Sequence, residues 1–156
     1  MPQPTVDALL KLPELRADDV LYDLGSGDGR VLITAAPRYG VKAVGSEIDS
    51  ALITASRESA KKLGVAHLVT VREEDSSQTD LSKSTVVILY LLPELHAALI
   101  PQFRKLPPNA RVLTFSFEIP GLLPHSMWSL GGGSTMRLIS RYNVPFRTPG
   151  TGNKNA

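Results

Sequence analysis

The order of apolar and polar positions divides this chain into alternating strands and helices. Residues 20–24, 41–46 and 68–72 are short apolar runs between polar or glycine-containing stretches, and each reads as a buried strand. The run "TVVILYLL" over 85–92 is apolar and largely β-branched, which predicts a central parallel strand buried on both faces. Residues 111–117 give a fifth strand. Segments with helical spacing lie between and before these runs. Thr5 is placed to cap a short helix presenting Val6, Leu9 and Leu10 on one face. A helix is predicted over 28–39, with Pro37 kinking or stopping it because proline removes a backbone donor. Another spans 50–63 and ends at Gly64. Pro93 suits the first turn of a helix whose stripe is Leu95, Ala98, Leu99 and Phe103, interrupted by Pro101. Segments 126–130 and 134–144, separated by glycines at 131–133, predict a closing β-hairpin.

Strands alternating with helices mean an α/β fold: a mostly parallel sheet covered on both faces, here with an antiparallel edge from the hairpin. Ligands of such sheets bind beyond the carboxyl ends of the strands, at the switch point beside the first strand. The stretch "YDLGSGDGR", 22–30, falls there. Gly25, Gly27 and Gly29 let the backbone turn tightly and approach a ligand closely. Their spacing is Gly-x-Gly-x-Gly, not the Gly-x-Gly-x-x-Gly of dinucleotide sites, and no Gly-Lys-Ser/Thr follows to hold a triphosphate. A pyrophosphate disfavours neighbouring carboxylates. Asp23 and Asp28 instead suit a ligand with a cationic amino-acid end, although Asp28 can also serve as a helix cap.

Two further acids extend that ligand. Glu47 ends the second strand, where a carboxylate can accept from the hydroxyls of a ribose; Asp49 is better suited to capping the next helix. Asp75 follows the third strand and can accept from the exocyclic amine of adenine, with the Ser76 amide near the ring. An amino-acid end, a ribose and an adenine without phosphate describe S-adenosyl-L-methionine or its product S-adenosyl-L-homocysteine.

Composition narrows the class. At 156 residues with 42% apolar content, one domain with one ordinary core is expected: residues 1–147, followed by a disordered tail over 148–156. A net charge of +2 gives no clear nucleic-acid signal. The absence of cysteine excludes disulfides and cysteine-ligated zinc, and the scattered histidines (His67, His96, His125) lack metal-ligand spacing and read as surface residues. No apolar run is long enough to span a membrane and the start lacks a signal peptide's pattern. A cytoplasmic protein, monomeric or weakly dimeric, is expected.

With these residues on the page, the sequence resembles the class I S-adenosylmethionine-dependent methyltransferases. The resemblance rests on "YDLGSGDGR", "AVGSEID" (43–49), "EEDSSQTDL" (73–81) and "VVILYLLPEL" (86–95). More narrowly, "DLGSGDGR", "LYLLPEL" and the opening "QPTVDALL" are similar to small bacterial relatives of the mitochondrial lysine methyltransferases that act on the ATP synthase c-subunit and the adenine nucleotide carrier. It covers residues 3–145. It implies a Rossmann-like seven-stranded sheet of order 3-2-1-4-5-7-6. It also implies cofactor contacts from Asp23, Gly25, Ser26, Gly27, Asp28, Gly29, Glu47, Ile48, Asp75 and Ser76. Two departures from the resemblance stand out: the chain begins almost at "QPT", so a longer N-terminal cover over the cofactor is expected to be missing, and Pro37 falls where such helices continue.

Methyl transfer from a sulfonium needs alignment and a deprotonated nucleophile more than a strong base. "YLLPE" follows the fourth strand, so Tyr90 and Glu94 are the catalytic candidates: Tyr90 to orient an acceptor amine, Glu94 to take a proton or hold a cationic substrate. Little chain is left to enclose a substrate, which suits a projecting acceptor such as a protein side chain. The alternatives are methylation of a small molecule or nucleic acid, and a non-catalytic module that only binds the cofactor. The acids at the ligand argue against the last. No Asn/Asp-Pro-Pro-aromatic motif follows the fourth strand, which argues against methylation of adenine amines.

Overall fold

Strand β1, Val20–Leu24, lies third in a seven-stranded sheet in the computed structural model, which describes residues 1–150. On one side lie β2, Lys42–Glu47, and then β3, Val69–Glu73. On the other lie β4, Val86–Leu89, and β5, Arg111–Phe115, all parallel. The hairpin of β6, Ser126–Leu130, and β7, Arg137–Asn143, closes the sheet, with β7 antiparallel to β5. The order is β3-β2-β1-β4-β5-β7-β6, as the resemblance implies.

Successive strand residues face opposite sides. Leu21, Ile88, Leu113 and Ile139 pack under α1 (Gln3–Leu9), α2 (Arg30–Tyr39) and α3 (Ser50–Lys62). Tyr22, Leu24, Val87, Leu89 and Tyr142 pack under α4 (Pro93–Ala98) and α5 (Ile100–Phe103). Burial on both faces explains why the central strands read as unbroken apolar runs.

Several boundaries differ from the sequence expectations for identifiable reasons. α1 begins at Gln3 behind Pro2, with no side-chain cap, so Thr5 lies inside the helix. Pro37 neither stops nor shortens α2, which runs to Tyr39 and ends at Gly40; in the last turn its ring forfeits a single backbone bond. β4 ends at Leu89, not at residue 92: its last partners are Leu24, where β1 itself ends, and Thr114, one residue before the end of β5. Residues 90–92 therefore leave the sheet. The following helix divides at Leu99, with Pro101 in the first turn of α5. Leu99 and Phe103 face the core as expected, but Leu95 is exposed and His96 is buried. His96 is thus not a surface residue. Its Nδ1 donates to the Glu118 carbonyl at 3.1 Å, and burial lowers its pKa. His67 is exposed, and His125 is half-buried, its Nδ1 accepting from Asn143 N–H. Most of the tail expected to be disordered, residues 151–156, lies outside the described residues.

Candidate functional site

At the carboxyl end of β1 the chain turns through residues 25–29 into α2. Gly25, Gly27 and Gly29 all have positive φ, at 74°, 57° and 76°. Two of them show why. A Cβ on Gly29 would fall 2.8 Å from Ser56 Oγ, so the entry to α2 needs this close approach to α3. A Cβ on Gly27 would meet nothing within 4 Å, so this stretch of bare backbone faces open space. Beneath the loop, a Cβ on Gly45 of β2 would fall 2.5 Å from Ser26 Oγ.

Four loop amides are satisfied inside the protein. Gly25 and Ser26 N–H both donate to the Ser46 carbonyl at 2.9 Å, and Gly29 N–H donates to the Ser26 carbonyl at 3.0 Å. Gly27 N–H donates to Glu47 Oε2 at 2.8 Å. An anion cradle requires converging free N–H groups, which this loop does not offer. Glu47 Oε1 meanwhile accepts from Ile48 and Asp49 N–H, at 3.0 and 3.1 Å. The Glu47 carboxylate thus braces the glycine loop and the β2 terminus together, a role its position alone did not reveal. Asp49 caps α3, accepting from Ala51 and Leu52 N–H.

The charges are uneven. Asp23 is only 5% exposed, and no hydrogen bond reaches its carboxyl among the described residues. Burial first, then the charges of Glu47 and Asp28, push its pKa up to about 7. Asp28 is different. Arg30 grips it through Nη2 at 2.8 Å and Nε at 3.2 Å, and this holds its carboxyl below the usual range. Asp28 also accepts from Arg30 N–H at 3.1 Å, so it does serve the helix start. Among the described residues Asp23 has no ion-pair or hydrogen-bond partner, and the ammonium of Met1 is the single charge that acts to lower its pKa, outweighed by burial, Glu47 and Asp28.

Two adjoining cavities open here. The first, about 560 Å3, is bounded by Asp23, the glycine loop, Val31 and Leu52. The second, about 380 Å3, lies between the start of α1, β5 and the β6–β7 turn, with Thr5, Phe115, Leu130 and Arg137 in its walls. Met1, Pro2 and Tyr90 border both. Tyr90 is 48% exposed and its ring stands edge-on to Phe115, centroids 4.9 Å apart at 88°. The first cavity holds two carboxylates and Arg30; the second holds Arg137 and no carboxylate.

Of the residues singled out from sequence, Asp23, Gly25, Ser26, Gly27, Asp28 and Tyr90 line the first cavity. Glu47 stands one hydrogen bond behind the loop, with Ile48 beside it, 72% exposed. Gly29 faces Ser56 instead. Asp75 and Ser76 lie at the same sheet end but line neither cavity. Ser76 Oγ is 3.1 Å from Ser46 Oγ, and Asp75 accepts from Ser77 N–H at 2.8 Å, which holds its carboxyl below the usual range. Glu94 lines neither cavity; it is exposed on the first turn of α4, after the chain has already left the sheet. Arg30, Thr5, Leu130 and Arg137 were not foreseen. The adjacency of Asp28 and Arg30 is a local signal that identifies the first, whereas the others come from distant segments that each read as helix or hairpin.

Residues 23–126 match the ANTKMT methyltransferase domain. A protein-lysine N-methyltransferase of Saccharolobus islandicus is 34% identical over 145 residues, covering 92% of this chain and 90% of the relative. A lysine N-methyltransferase of the ATP synthase c-subunit from Xenopus laevis is 32% identical over 117 residues, and the match spans 72% of this chain but 50% of that protein. Among solved structures, an RNA methyltransferase from Salinibacter ruber in complex with S-adenosyl-L-homocysteine aligns with a TM-score of 0.88 and 39% identity over 99% of both chains.

Proposed function

This chain belongs to the ANTKMT methyltransferase family, and on that premise we propose that its S-adenosylmethionine-dependent methyl transfer is directed at lysine side chains of proteins. The observation that carries this reading is the second cavity, which meets the first at Tyr90, has aromatic and aliphatic walls, and contains no carboxylate. A lysine side chain is a slender apolar stem with an amine at its tip. Its amine has a pKa of ~10.4 in water and must lose a proton to act as a nucleophile. A site with Arg137 and no acid favours the neutral form.

The first cavity fits the cofactor on three counts. Asp23 is a buried carboxyl with no ion-pair partner, Ser26 Oγ is buried without a hydrogen-bond partner, and the glycine loop offers open space with four of its five amides already paired, too few left free to hold a phosphate. Asp23 would hold the ammonium of the amino-acid end. Glu47 would take a ribose hydroxyl. Three backbone N–H groups already occupy its carboxylate, which has about four acceptor sites, so it serves one hydroxyl and not two. Asp75 and Ser76 would serve the adenine edge, with Ile48 as an apolar face beside them. When bound, the cofactor supplies a methyl group on a positively charged sulfur. Tyr90 does the chain's part at the junction: Phe115 fixes its ring, and its hydroxyl orients the acceptor amine. Val31 and Leu52 exclude water from the first cavity. With no carboxylate in the acceptor cavity, the amine gives its proton to solvent before entry, and Glu94 is left outside the chemistry.

The name of the Salinibacter relative favours a second reading, methylation of RNA. One experiment separates them: incubation with methyl-labelled cofactor and host lysate, followed by fractionation. Label in protein, stable to nuclease and recovered as methyl-lysine after acid hydrolysis, is the expected result. Nuclease-sensitive label would overturn the lysine reading.

A further inference from the structure

Of the two cavities that meet at Tyr90, the second has no carboxylate in its walls, and its one charged side chain is Arg137. Arg137 opens β7, directly after the β6–β7 turn. Its Nη1 donates to the Met136 carbonyl at 3.0 Å and approaches the Ser134 carbonyl at 3.5 Å. Among the described residues, Nε and Nη2 make no hydrogen bond and no carboxylate pairs with Arg137. Arg30, Arg38, Arg111 and Arg141, by contrast, each have an acid. The turn that presents Arg137 is closed on itself: Thr135 Oγ1 donates to the Gly132 carbonyl at 2.8 Å, and a Cβ on Gly131 would fall 2.9 Å from the Thr135 carbonyl oxygen. Arg137 is therefore anchored through one nitrogen on a braced turn, with the Nε–Nη2 edge of its fork free. That edge matches a carboxylate with two parallel N–H···O bonds.

The geometry points to Arg137 as the specificity residue of the acceptor site, selecting lysines with an Asp or Glu within about two positions in the substrate chain. This rests on the lysine reading above. The amine must reach Tyr90, the residue both cavities share, while Arg137 lies at the hairpin wall of the same 380 Å3 space. An acceptor spanning that space needs an amine at one end and an anion at the other. A basic neighbour would meet the guanidinium with like charge and no acid to relieve it.

The test uses three peptides identical but for the residue beside a single lysine: Glu, Gln or Lys. Wild type is expected to methylate the Glu peptide with a kcat/KM about tenfold above the Gln peptide, the scale of one charge-assisted hydrogen bond, and the Lys peptide most slowly. Arg137→Gln should abolish that preference, chiefly by lowering the rate on the Glu peptide, and Arg137→Glu should invert it. Arg137 is exposed, so folding and affinity for S-adenosyl-L-homocysteine should not change in either variant. The same ranking should hold among lysines methylated in lysate, mapped by mass spectrometry. Equal rates on all three peptides, or a preference that survives Arg137→Gln, would overturn the inference while leaving lysine methylation intact. Absence of methyl-lysine from every peptide and from lysate protein would remove the lysine reading itself, and this inference with it.

Discussion

Asp19 and Asp23 lie four residues apart, one just before β1 and one near its end, and are equally buried at 6% and 5% exposure. At the amino end, Asp19 accepts from Arg16 N–H at 2.8 Å, Thr85 Oγ1 at 2.7 Å and Arg111 Nη2 at 2.6 Å. Burial acts to raise its pKa, but these bonds and the Arg111 charge outweigh it and the net shift is downward. At the carboxyl end, Asp23 has no such partner, and burial carries its pKa up to about 7. One end of the strand is electrostatically complete, and the other is left in deficit. A buried group that costs stability is retained where a ligand completes it, so the deficit marks the working end of the sheet.

The largest test of this contrast is Asp19→Ala. It strands Arg111 in the interior, and breaking a buried pair costs about 3–5 kcal/mol. Urea denaturation should show that loss, while the folded fraction binds S-adenosylmethionine normally.

Asp23→Asn should act in the opposite sense. The native pKa of Asp23, about 7, lies above its ordinary 3.8, so the native state binds the extra proton between these values. Stability of the ligand-free protein should therefore fall as pH rises through that window, by a few kcal/mol at most. Asp23→Asn should flatten the profile and be more stable than wild type at pH 8. The same variant should lose about 1.5–3 kcal/mol of cofactor affinity by calorimetry, the scale for a charged hydrogen bond. Wild-type affinity should rise between pH 5.5 and 7.5, with a proton released on binding. A flat wild-type profile would break the comparison.

Glu47→Ala comes next. It deprives three backbone N–H groups of their acceptor, so both stability and cofactor affinity should fall, each by about 1–3 kcal/mol. A loss confined to affinity would mean that the bracing of the loop contributes little.

Tyr90→Phe should have the smallest effect: a methylation rate lowered by up to about tenfold, equivalent to one neutral hydrogen bond, with cofactor affinity unchanged. Packing against Phe115 survives the change, because only the hydroxyl is removed.

The strands and the glycine loop were legible because each is written locally. Val86–Leu89 is apolar because both its faces are covered, and positions 25, 27 and 29 are glycine because φ is positive at each. Asp23 and Glu47 followed from their places at strand ends. Their opposite circumstances did not, since nothing local states that Glu47 is held by three amides and Asp23 by none. The acceptor cavity was illegible for a related reason. Thr5 reads as a cap, Phe115 as core and Arg137 as an exposed hairpin residue, and only the crossing of α1, β5 and the β6–β7 turn makes them one wall. The burial of His96 likewise depends on a carbonyl in the distant loop after β5.

The loop whose amides are already paired has a kinetic meaning. Gly25, Ser26, Gly27 and Gly29 N–H are already hydrogen-bonded in the ligand-free fold, so the loop does not wait for the cofactor to order it. Amide hydrogens at these positions should exchange slowly with solvent even in the ligand-free protein.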